Sequence, residues 1–188
     1  GAKLILNDSL RVDTSSSDGE TGTWLLDPVD FTIAASGGDL TGAALSTALL
    51  TSNVTIQTLA SSVSCSGVTC GTGNTSGNGD IHVNDSINAT GTNTLTLQAS
   101  RDININKAVT VDGLNLTAVR NVNVNDVVTV NNSLAVNYGA SRSGNVFTAN
   151  GSVRPSDTGS LNMKMDSTGF VGKINLGAQA NIVALNGN

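Results

Sequence analysis

Few of the residues that usually build enzyme centres, metal sites or nucleic-acid surfaces occur in this sequence. It contains one His and two Cys, and its nine Lys and Arg are scattered among 188 residues. One His and two Cys are too few for a four-ligand zinc site. A net charge of −5 with no basic cluster argues against nucleic acid as a partner. Since no apolar run approaches the roughly 20 residues that cross a bilayer, we expect no transmembrane segment.

Aromatic residues and proline are scarce as well, which limits the kinds of core and loop that the chain can form. Aromatic residues make up 3% of the sequence and charged residues 12%, whereas Gly, Asn, Ser and Thr are abundant. The two prolines, Pro28 and Pro155, leave the middle of the chain free of strand breakers. Low charge and regularly spaced aliphatic residues argue against disorder. We therefore expect an ordered core built from aliphatic side chains.

A sequence repeat dominates the middle of the chain. Residues 101–106 reappear as residues 120–125, nineteen positions later, and their flanks at 95–99 and 114–118 also match. A fixed period near twenty residues is typical of repeat proteins, in which each unit covers the apolar face of its neighbour.

Aliphatic and polar residues alternate almost continuously over residues 80–138. Such alternation predicts strands with one buried and one solvated face. Three short strands for each nineteen to twenty-two residues predict an all-β fold, a parallel β-helix whose coils stack about 4.8 Å apart. Asparagines at equivalent positions of successive coils are expected to hydrogen-bond as a ladder. The clearest repeats cover residues 53–138, and we expect residues 1–188 to form a single β-helical segment of a longer protein.

One segment departs from this alternation. Residues 40–50 are rich in Ala and Leu, which are spaced so that they share one face of a helix. Thr41 stands where an N-cap is expected. The segment predicts a short helix lying against the stacked strands, and residues 53–58 predict the strand that follows.

The two cysteines lie in a stretch rich in Gly, Ser and Thr, residues 61–79, which predicts a surface loop. Cys65 and Cys70 are close enough in sequence to close this loop as a small disulfide, which would imply an oxidising compartment. Two free cysteines are the alternative. Residues 139–160 are predicted to be loop-rich, and renewed alternation in residues 161–188 predicts further coils.

Five stretches of the sequence carry a family resemblance, namely residues 24–33, the continuous run 40–56, 77–85, 95–103 and 170–176. They resemble filamentous haemagglutinin-like exoproteins of Gram-negative bacteria. The resemblance implies a right-handed β-helix that is secreted or held at the cell surface, after export by an outer-membrane partner transporter in two-partner secretion. Many relatives are adhesins, which implies cell adhesion and virulence, with a host-cell receptor, glycan or extracellular matrix as partner. The asparagine-rich motifs of the family's secretion domain are not found in this sequence. We therefore expect the segment to belong to the interior of the shaft.

Acidic residues are the only candidates for catalytic or metal chemistry. Asp27 and Asp30 could act as the paired carboxylates of a glycosidase, which lie roughly 5–10 Å apart across a cleft, although Asp27 is also typical of a turn. Asp80 and Asp102 occupy matching repeat positions and are weak candidates for Ca²⁺. The alternative for this pair is that each Asp caps a turn. His82 stands alone on an outward face, so we expect no catalytic triad and no cofactor.

The sequence also contains Asn-x-Ser/Thr sequons, the acceptor motif for N-glycosylation. A chain so rich in Asn, Ser and Thr acquires such motifs by chance. Some adhesins of the resembled family are glycosylated at sequons, which makes these asparagines candidate sites. The candidates are Asn53, Asn84, Asn88, Asn115 and Asn150.

Together these observations predict a non-catalytic structural or adhesive segment. It would project a distal binding region and offer a polar, repetitive face for weak multivalent contacts. The alternative is a glycan- or protein-binding module with its site in the Cys65–Cys70 loop. A polysaccharide-active β-helix enzyme is the less favoured third reading.

Overall fold

The chain is all-β apart from one short helix, in the part that the computed structural model describes. The strands of this part lie in two sheets, and every strand pair is parallel. Side chains are described as far as residue 137. The described residues are 6, 9–58, 77–138, 146–149, 152–155, 160–165, 173–176 and 181–182.

The strands are short, and most span only a few residues before the chain turns. In chain order the elements are β1 Thr23–Leu26, β2 Phe31–Ile33, α1 Gly42–Ala48, β3 Asn53–Gln57, β4 Ile81–Val83, β5 Ile87–Asn88, β6 Thr94–Ala99, β7 Ile103–Ile105, β8 Val109–Ala118, β9 Val122–Val124, β10 Val128–Tyr138, β11 Val146–Ala149, β12 Ser152–Pro155, β13 Ser160–Met165, β14 Lys173–Leu176 and β15 Asn181–Ile182.

The chain passes repeatedly from one sheet to the other. The first sheet has nine strands and runs β1-β3-β6-β8-β10-β12-β15, with β5 paired to β8 and β13 paired to β10. The second has six strands, in the order β2-β4-β7-β9-β11-β14. Parallel neighbours need a crossover connection. Here the crossovers between neighbours run through the other sheet.

Two long strands of the first sheet each serve two rows of neighbours. The first two residues of β8 pair with β5 and its first three pair with β10, and its second half pairs with β6 and with the second half of β10. Likewise, β10 pairs with β12 through its first residues and with β13 through its last. A register shift between Val130 and Ser133 separates the two parts of β10. The described strands therefore form three rows, two in the first sheet and one in the second.

Aliphatic side chains of successive strands lie in register. Ile81 of β4 pairs with Ile103 of β7, which pairs with Val122 of β9, and all three are fully buried. In the first sheet Leu95 pairs with Leu114, and both are again buried. Fully burying each such side chain contributes roughly 1.5–3 kcal/mol. The prediction that repeated aliphatic positions rest on their counterparts is confirmed.

The predicted helix and the predicted strand after it are both present. Helix α1 lies within the predicted residues 40–50. The Thr41 side chain is its N-cap and accepts the N–H of Ala44 at 3.1 Å. Strand β3 lies within the predicted residues 53–58, and its residues alternate between half-buried and buried.

The prediction of loop for residues 139–160 is wrong at two places. Val146–Ala149 and Ser152–Pro155 are strands β11 and β12, which pair with β9 and β10. Strands β9 and β10 present backbone donors and acceptors along their edges. Short stretches of chain between glycines can therefore pair with them and form further strands. Pro155 is tolerated because it ends β12, where it removes only one backbone donor. Where the sequence predicts further coils, in residues 161–188, the described residues contain strands β14 and β15 and all of β13 except its first residue.

Candidate functional site

The outward face of β4, β7 and β9 carries a column of polar side chains. Each of these strands buries its first and third residues, so its middle residue points outward. Asn123 Nδ2 donates to Asn104 Oδ1 at 2.8 Å, and Asn104 Nδ2 lies 3.5 Å from His82 Nδ1. His82 is half-buried in this column, where the sequence predicted a solitary surface histidine.

A second column of asparagines stands beside the first, one residue after each of the same three strands. Asn125 Nδ2 donates to Asn106 Oδ1 at 2.7 Å, and Asn106 Nδ2 donates to Asn84 Oδ1 at 2.8 Å. All three residues of this column are exposed. The predicted hydrogen-bonded asparagine ladder is confirmed, and it occurs twice. We call the two columns together the amide face; it comprises His82, Asn84, Asn104, Asn106, Asn123 and Asn125.

A column of aspartates, Asp30, Asp80 and Asp102, directly precedes β2, β4 and β7. Asp30 Oδ1 accepts the N–H of Asp80 at 2.9 Å, Asp80 Oδ1 accepts the N–H of Asp102 at 3.1 Å, and Asp102 Oδ1 accepts the N–H of Asn121 at 3.0 Å. Asn121 also donates its side-chain Nδ2 to Asp102 Oδ1. Each carboxylate therefore satisfies the backbone donor that precedes the next strand of the second sheet.

Two arginines pair with Asp80 and Asp102 of this column. Arg101 Nε lies 3.4 Å from Asp80 Oδ1 and 3.3 Å from Asp102 Oδ2, and Arg120 Nη2 lies 3.1 Å from Asp102 Oδ2. Asp80 and Asp102 are buried, so the pairing offsets part of the cost of removing their charges from water.

The suggested Ca²⁺ site at Asp80 and Asp102 finds no support in this arrangement. Their oxygens face N–H donors and guanidinium groups, which occupy the positions that a cation would need. The described residues also contain no cluster of three His, Cys, Asp or Glu that could hold a metal ion. Turn capping by Asp, the alternative reading, matches the hydrogen bonds.

Asp27 and Asp30, the suggested glycosidase pair, have different surroundings. Asp30 Oδ1 accepts three backbone N–H groups, from Asn78, Gly79 and Asp80, at 2.7–2.9 Å. Asp27 is exposed at the turn between β1 and β2, and desolvation by its surroundings raises its pKa above the ordinary value of 3.8. The bonds to Asp30 hold together chain segments fifty residues apart, which is a structural role.

The ends of the cysteine-containing stretch are pinned to one corner of the fold. Cys65 and Cys70 lie outside the described residues, as does the rest of residues 59–76. At the start of this stretch, Thr58 Oγ1 donates to the Gly79 carbonyl oxygen at 2.7 Å and accepts the N–H of Ser100. At its end, Asp30 binds the returning backbone as described above. The equivalent corners before β7 and β9 need only residues 100–102 and 119–121.

Two of the candidate glycosylation sites have their side-chain amides engaged. Asn53 Nδ2 donates to the Thr21 carbonyl oxygen at 3.0 Å, and its Oδ1 accepts the N–H of Thr94. Asn115 Nδ2 donates to Thr96 Oγ1 at 3.4 Å. The Nδ2 atom is the one that would carry a glycan, so attachment at either residue competes with a structural contact.

Two further sequons are open to solvent. Asn84 and Asn88 are exposed, and the Asn84 amide takes part in the ladder through its oxygen. Asn150, the fifth candidate, lies outside the described residues. Among the described candidates, accessibility therefore favours Asn84 and Asn88.

Helix α1 covers a strand edge, which sequence reasoning did not foresee. Ser46 Oγ accepts the N–H of Asn88 at 2.9 Å, and Asp85 Oδ2 accepts the N–H of Gly42 at 2.8 Å. The approach is so close that a Cβ at Gly42 would collide with the carbonyl oxygen of Ser86. Unpaired donors on an edge strand invite pairing with other chains, and the helix removes one such donor on β5.

A turn covers the outer edge of β2 in the same way. Asp39 Oδ2 accepts the N–H of Thr32 at 2.7 Å, and the Asp39 N–H donates to the Thr32 carbonyl oxygen at 2.7 Å. Ala34 N–H continues the pattern by donating to the Leu40 carbonyl oxygen. The only signal in the sequence was the Ser-Gly-Gly-Asp stretch at 36–39, whose composition is typical of a turn.

Comparisons of this chain with protein-family models, with curated proteins and with solved structures found no match. Within the described residues, no helix has the length and apolar character needed to span a membrane.

Proposed function

We propose that this chain is a β-helical shaft segment of a secreted or surface-held adhesin-like exoprotein, of the filamentous haemagglutinin-like kind. The observation that carries the proposal is the in-register repetition across strands. Ile81, Ile103 and Val122 form one buried column at separations of twenty-two and nineteen residues. Three rows of parallel strands visited in a fixed order are what a β-helix with three faces would produce. We take the winding to be right-handed, as in the family that the sequence resembles.

In this proposal the chain has no chemistry of its own and acts mechanically. A stack built from Ile, Val and Leu columns would hold its outward side chains at fixed spacing, because each strand is tied to the next by backbone hydrogen bonds. Weak contacts repeated on one rigid support can raise overall avidity by roughly 10²–10⁴. The parent protein would thus project a distal region and add adhesion along its length.

The proposed partners are a host-cell receptor, a glycan or the extracellular matrix. The proposed location is the outside of a Gram-negative cell, reached through an outer-membrane partner transporter. The resemblance supports both statements. The predominance of amides and hydroxyls on the outward faces also suits repeated weak contacts better than one tight interface.

Adherence of coated beads tests the proposal. Purified chain is coupled to beads at high and at low density, and beads bound to cultured epithelial cells are counted. Because multivalency carries the binding, we expect dense beads to adhere and sparse beads to behave like beads coated with an unrelated protein. Dense beads that adhere no better than those controls would contradict the adhesive role.

A second candidate is a glycan- or protein-binding module in the Cys65–Cys70 loop. The pinned ends of residues 59–76 favour it, since a loop anchored at Thr58 and Asp30 can vary without disturbing the stacked strands. Removing residues 59–76 separates the two candidates. Bead adherence that survives the deletion in a folded variant supports the shaft, and adherence that disappears supports the loop.

The polysaccharide-active enzyme remains the least favoured reading. Asp30 is occupied by three backbone donors and is therefore a poor general base or nucleophile. Incubation of the chain with a panel of soluble polysaccharides should release no reducing ends. Release that is lost in Asp27→Asn would establish an enzyme instead.

A further inference from the structure

We propose that the amide face is a binding surface for a neutral, hydroxyl-rich polysaccharide chain lying across β4, β7 and β9. This inference rests on the proposed function, because it names the partner class that the adhesive shaft would recognise. It is carried by the hydrogen-bonding state of the amides, their spacing and the charges around them.

The central amides of both columns keep hydrogen-bonding capacity to spare. An Asn side chain has two N–H donors and an oxygen with two lone pairs. Asn106 uses one donor on Asn84 and one lone pair on Asn125. Asn104 in the same way faces His82 with its nitrogen and accepts from Asn123 with its oxygen. Each central amide thus presents one donor and one acceptor away from the ladder.

These donor–acceptor pairs form a fixed two-dimensional array. Neighbouring strands are spaced about 4.8 Å apart, and residues two positions apart along a strand about 6.6 Å. The ladder bonds hold each amide in one orientation, so little side-chain freedom is lost when a ligand binds. In both columns the donating amide nitrogen points toward the strand that comes earlier in the chain. The donors and acceptors of the array therefore all repeat in the same direction.

The chemistry of this array matches hydroxyl groups. A hydroxyl both donates and accepts a hydrogen bond, so neighbouring hydroxyls on a sugar ring can pair with the remaining donor and acceptor of one amide. A polymer of such rings would meet several amides at once, and its individually weak contacts would add.

The charges around the amide face favour a neutral polymer over an anionic one. The face itself carries amides and one imidazole. At the corner that follows it, Asp85, Lys107 and Asp126 occupy equivalent positions and carry one net negative charge. The arginines on the other side, Arg101 and Arg120, are already paired with Asp80 and Asp102. No excess of positive charge is therefore available to hold sulfate or carboxylate groups.

Affinity gel electrophoresis of the full chain tests this inference. The wild-type chain should be retarded in gels containing hydroxyethyl cellulose or dextran, and less so in gels containing carboxymethyl cellulose. The double variant Asn104→Val with Asn106→Val removes both central amides. The variant loses one donor and one acceptor at each position, and the net loss of even two hydrogen bonds corresponds to at least about a tenfold weaker retardation.

Asn115→Val is the matched control, because it removes an outward, half-buried amide from the other sheet. It should leave retardation unchanged. Circular dichroism and urea unfolding establish that each variant is folded. If the double valine variant does not fold, Asn104→Thr with Asn106→Thr replaces it, since Thr also suits strands and lacks the amide.

Three results would overturn the inference. The first is that neither neutral polymer retards the wild-type chain. The second is that carboxymethyl cellulose alone retards it. The third is that Asn115→Val weakens retardation as much as the double variant does. A wild-type dimer that becomes a monomer in the double variant, without retardation by polymer, would make the face an interface between copies. Dense beads that still adhere to cells in any of these cases would leave the adhesive shaft standing.

Discussion

At the scale of single residues, Asp30 has the most far-reaching contacts of any carboxylate described. One oxygen gathers the N–H groups of Asn78, Gly79 and Asp80, and so joins the turn before β2 to the turn before β4. A Cβ at Gly77 would collide with this carboxylate, which shows how closely the two turns pack. Hydrogen bonds to a charged acceptor contribute more than those between neutral groups.

Replacing Asp30 should therefore cost more stability than replacing an ordinary surface acid. We expect Asp30→Ala to lower the free energy of unfolding by about 2–3 kcal/mol, because it leaves backbone donors without their acceptor. Asp18 is exposed and its carboxylate accepts a hydrogen bond from the neighbouring Ser17 hydroxyl at the surface, so Asp18→Ala should change stability by less than about 0.5 kcal/mol. Urea unfolding of both variants measures the difference, and equal effects would refute the special role of Asp30.

Asp27 and Asp13 should affect the pH dependence of stability in opposite directions. Desolvation raises the pKa of Asp27 in the folded chain. The folded state thus binds the proton more tightly than the unfolded state, and the stabilisation present below the unfolded pKa is lost as pH rises through the folded pKa. For Asp13, the Ser15 side chain and then the Ser15 N–H lower the pKa. Its stabilisation is present above the unfolded pKa and is lost as pH falls through the folded pKa.

Replacing each of these two aspartates with the neutral Asn makes the effect of its pKa shift on stability measurable. At pH 7 we expect Asp27→Asn to be slightly more stable than the wild type and Asp13→Asn slightly less stable. Both differences should shrink as pH falls and the carboxyls take up protons. Thermal unfolding at pH 7 and pH 3 checks this, and two differences of the same sign at pH 7 would contradict it.

At the scale of elements, helix α1 matters for what it covers. It places Ser46 against the N–H of Asn88, and Gly42 allows its first turn to approach the corner before β5. Without a side chain at Gly42 the helix can lie against the backbone of Ser86. The helix therefore protects the edge of a row of strands, as terminal caps do in other repeat proteins.

Gly42→Ala should lift the helix away from this edge. We expect a loss of about 1–3 kcal/mol in the free energy of unfolding, because the new methyl group overlaps backbone atoms that cannot yield freely. The exposed edge of β5 should also make the variant associate at high concentration. Ala43 is exposed in the same turn, so Ala43→Ser is the control and should behave like the wild type. Urea unfolding and light scattering report both effects.

The elements also show how far the sequence alone could lead. Alternation predicted the buried columns and the Asn repeats predicted the ladders, because both depend on side-chain patterns within one repeat. Helix α1 was predicted from composition and its Thr41 cap. Contacts across long separations, such as Asp30 with Asp80 or Ser46 with Asn88, leave no local pattern. For the same reason β11 and β12 were missed, since the strands already in place help to define them.

At the scale of the whole molecule, the proposed winding predicts that one complete repeat can be removed. Deleting residues 101–119 joins Ser100 to Arg120, which resembles the original junction between Ser100 and Arg101. Ile81 could then pair with Val122 in place of Ile103, since both lie in the same column.

We expect this variant to unfold in one cooperative transition with a smaller urea m-value, because less surface is exposed on unfolding. Deleting residues 101–110 removes only part of a repeat and shifts the remaining strands off their partners, so this control should not fold. Circular dichroism during urea titration distinguishes the two. Loss of folding in both variants would argue against a winding with interchangeable repeats.

The register between strands also has a mechanical consequence. Backbone hydrogen bonds between neighbouring strands run along the direction in which the strands follow one another, so tension along that direction would load one row of bonds at a time. Breaking the hydrogen bonds between β7 and β9 would release nineteen residues of chain. Breaking those between β4 and β7 would release twenty-two. Fully extended, the released segment spans at most about 60–80 Å. A tether built this way would lengthen in steps under shear. Each step would lower the force on the adhesive contact at the end of the tether.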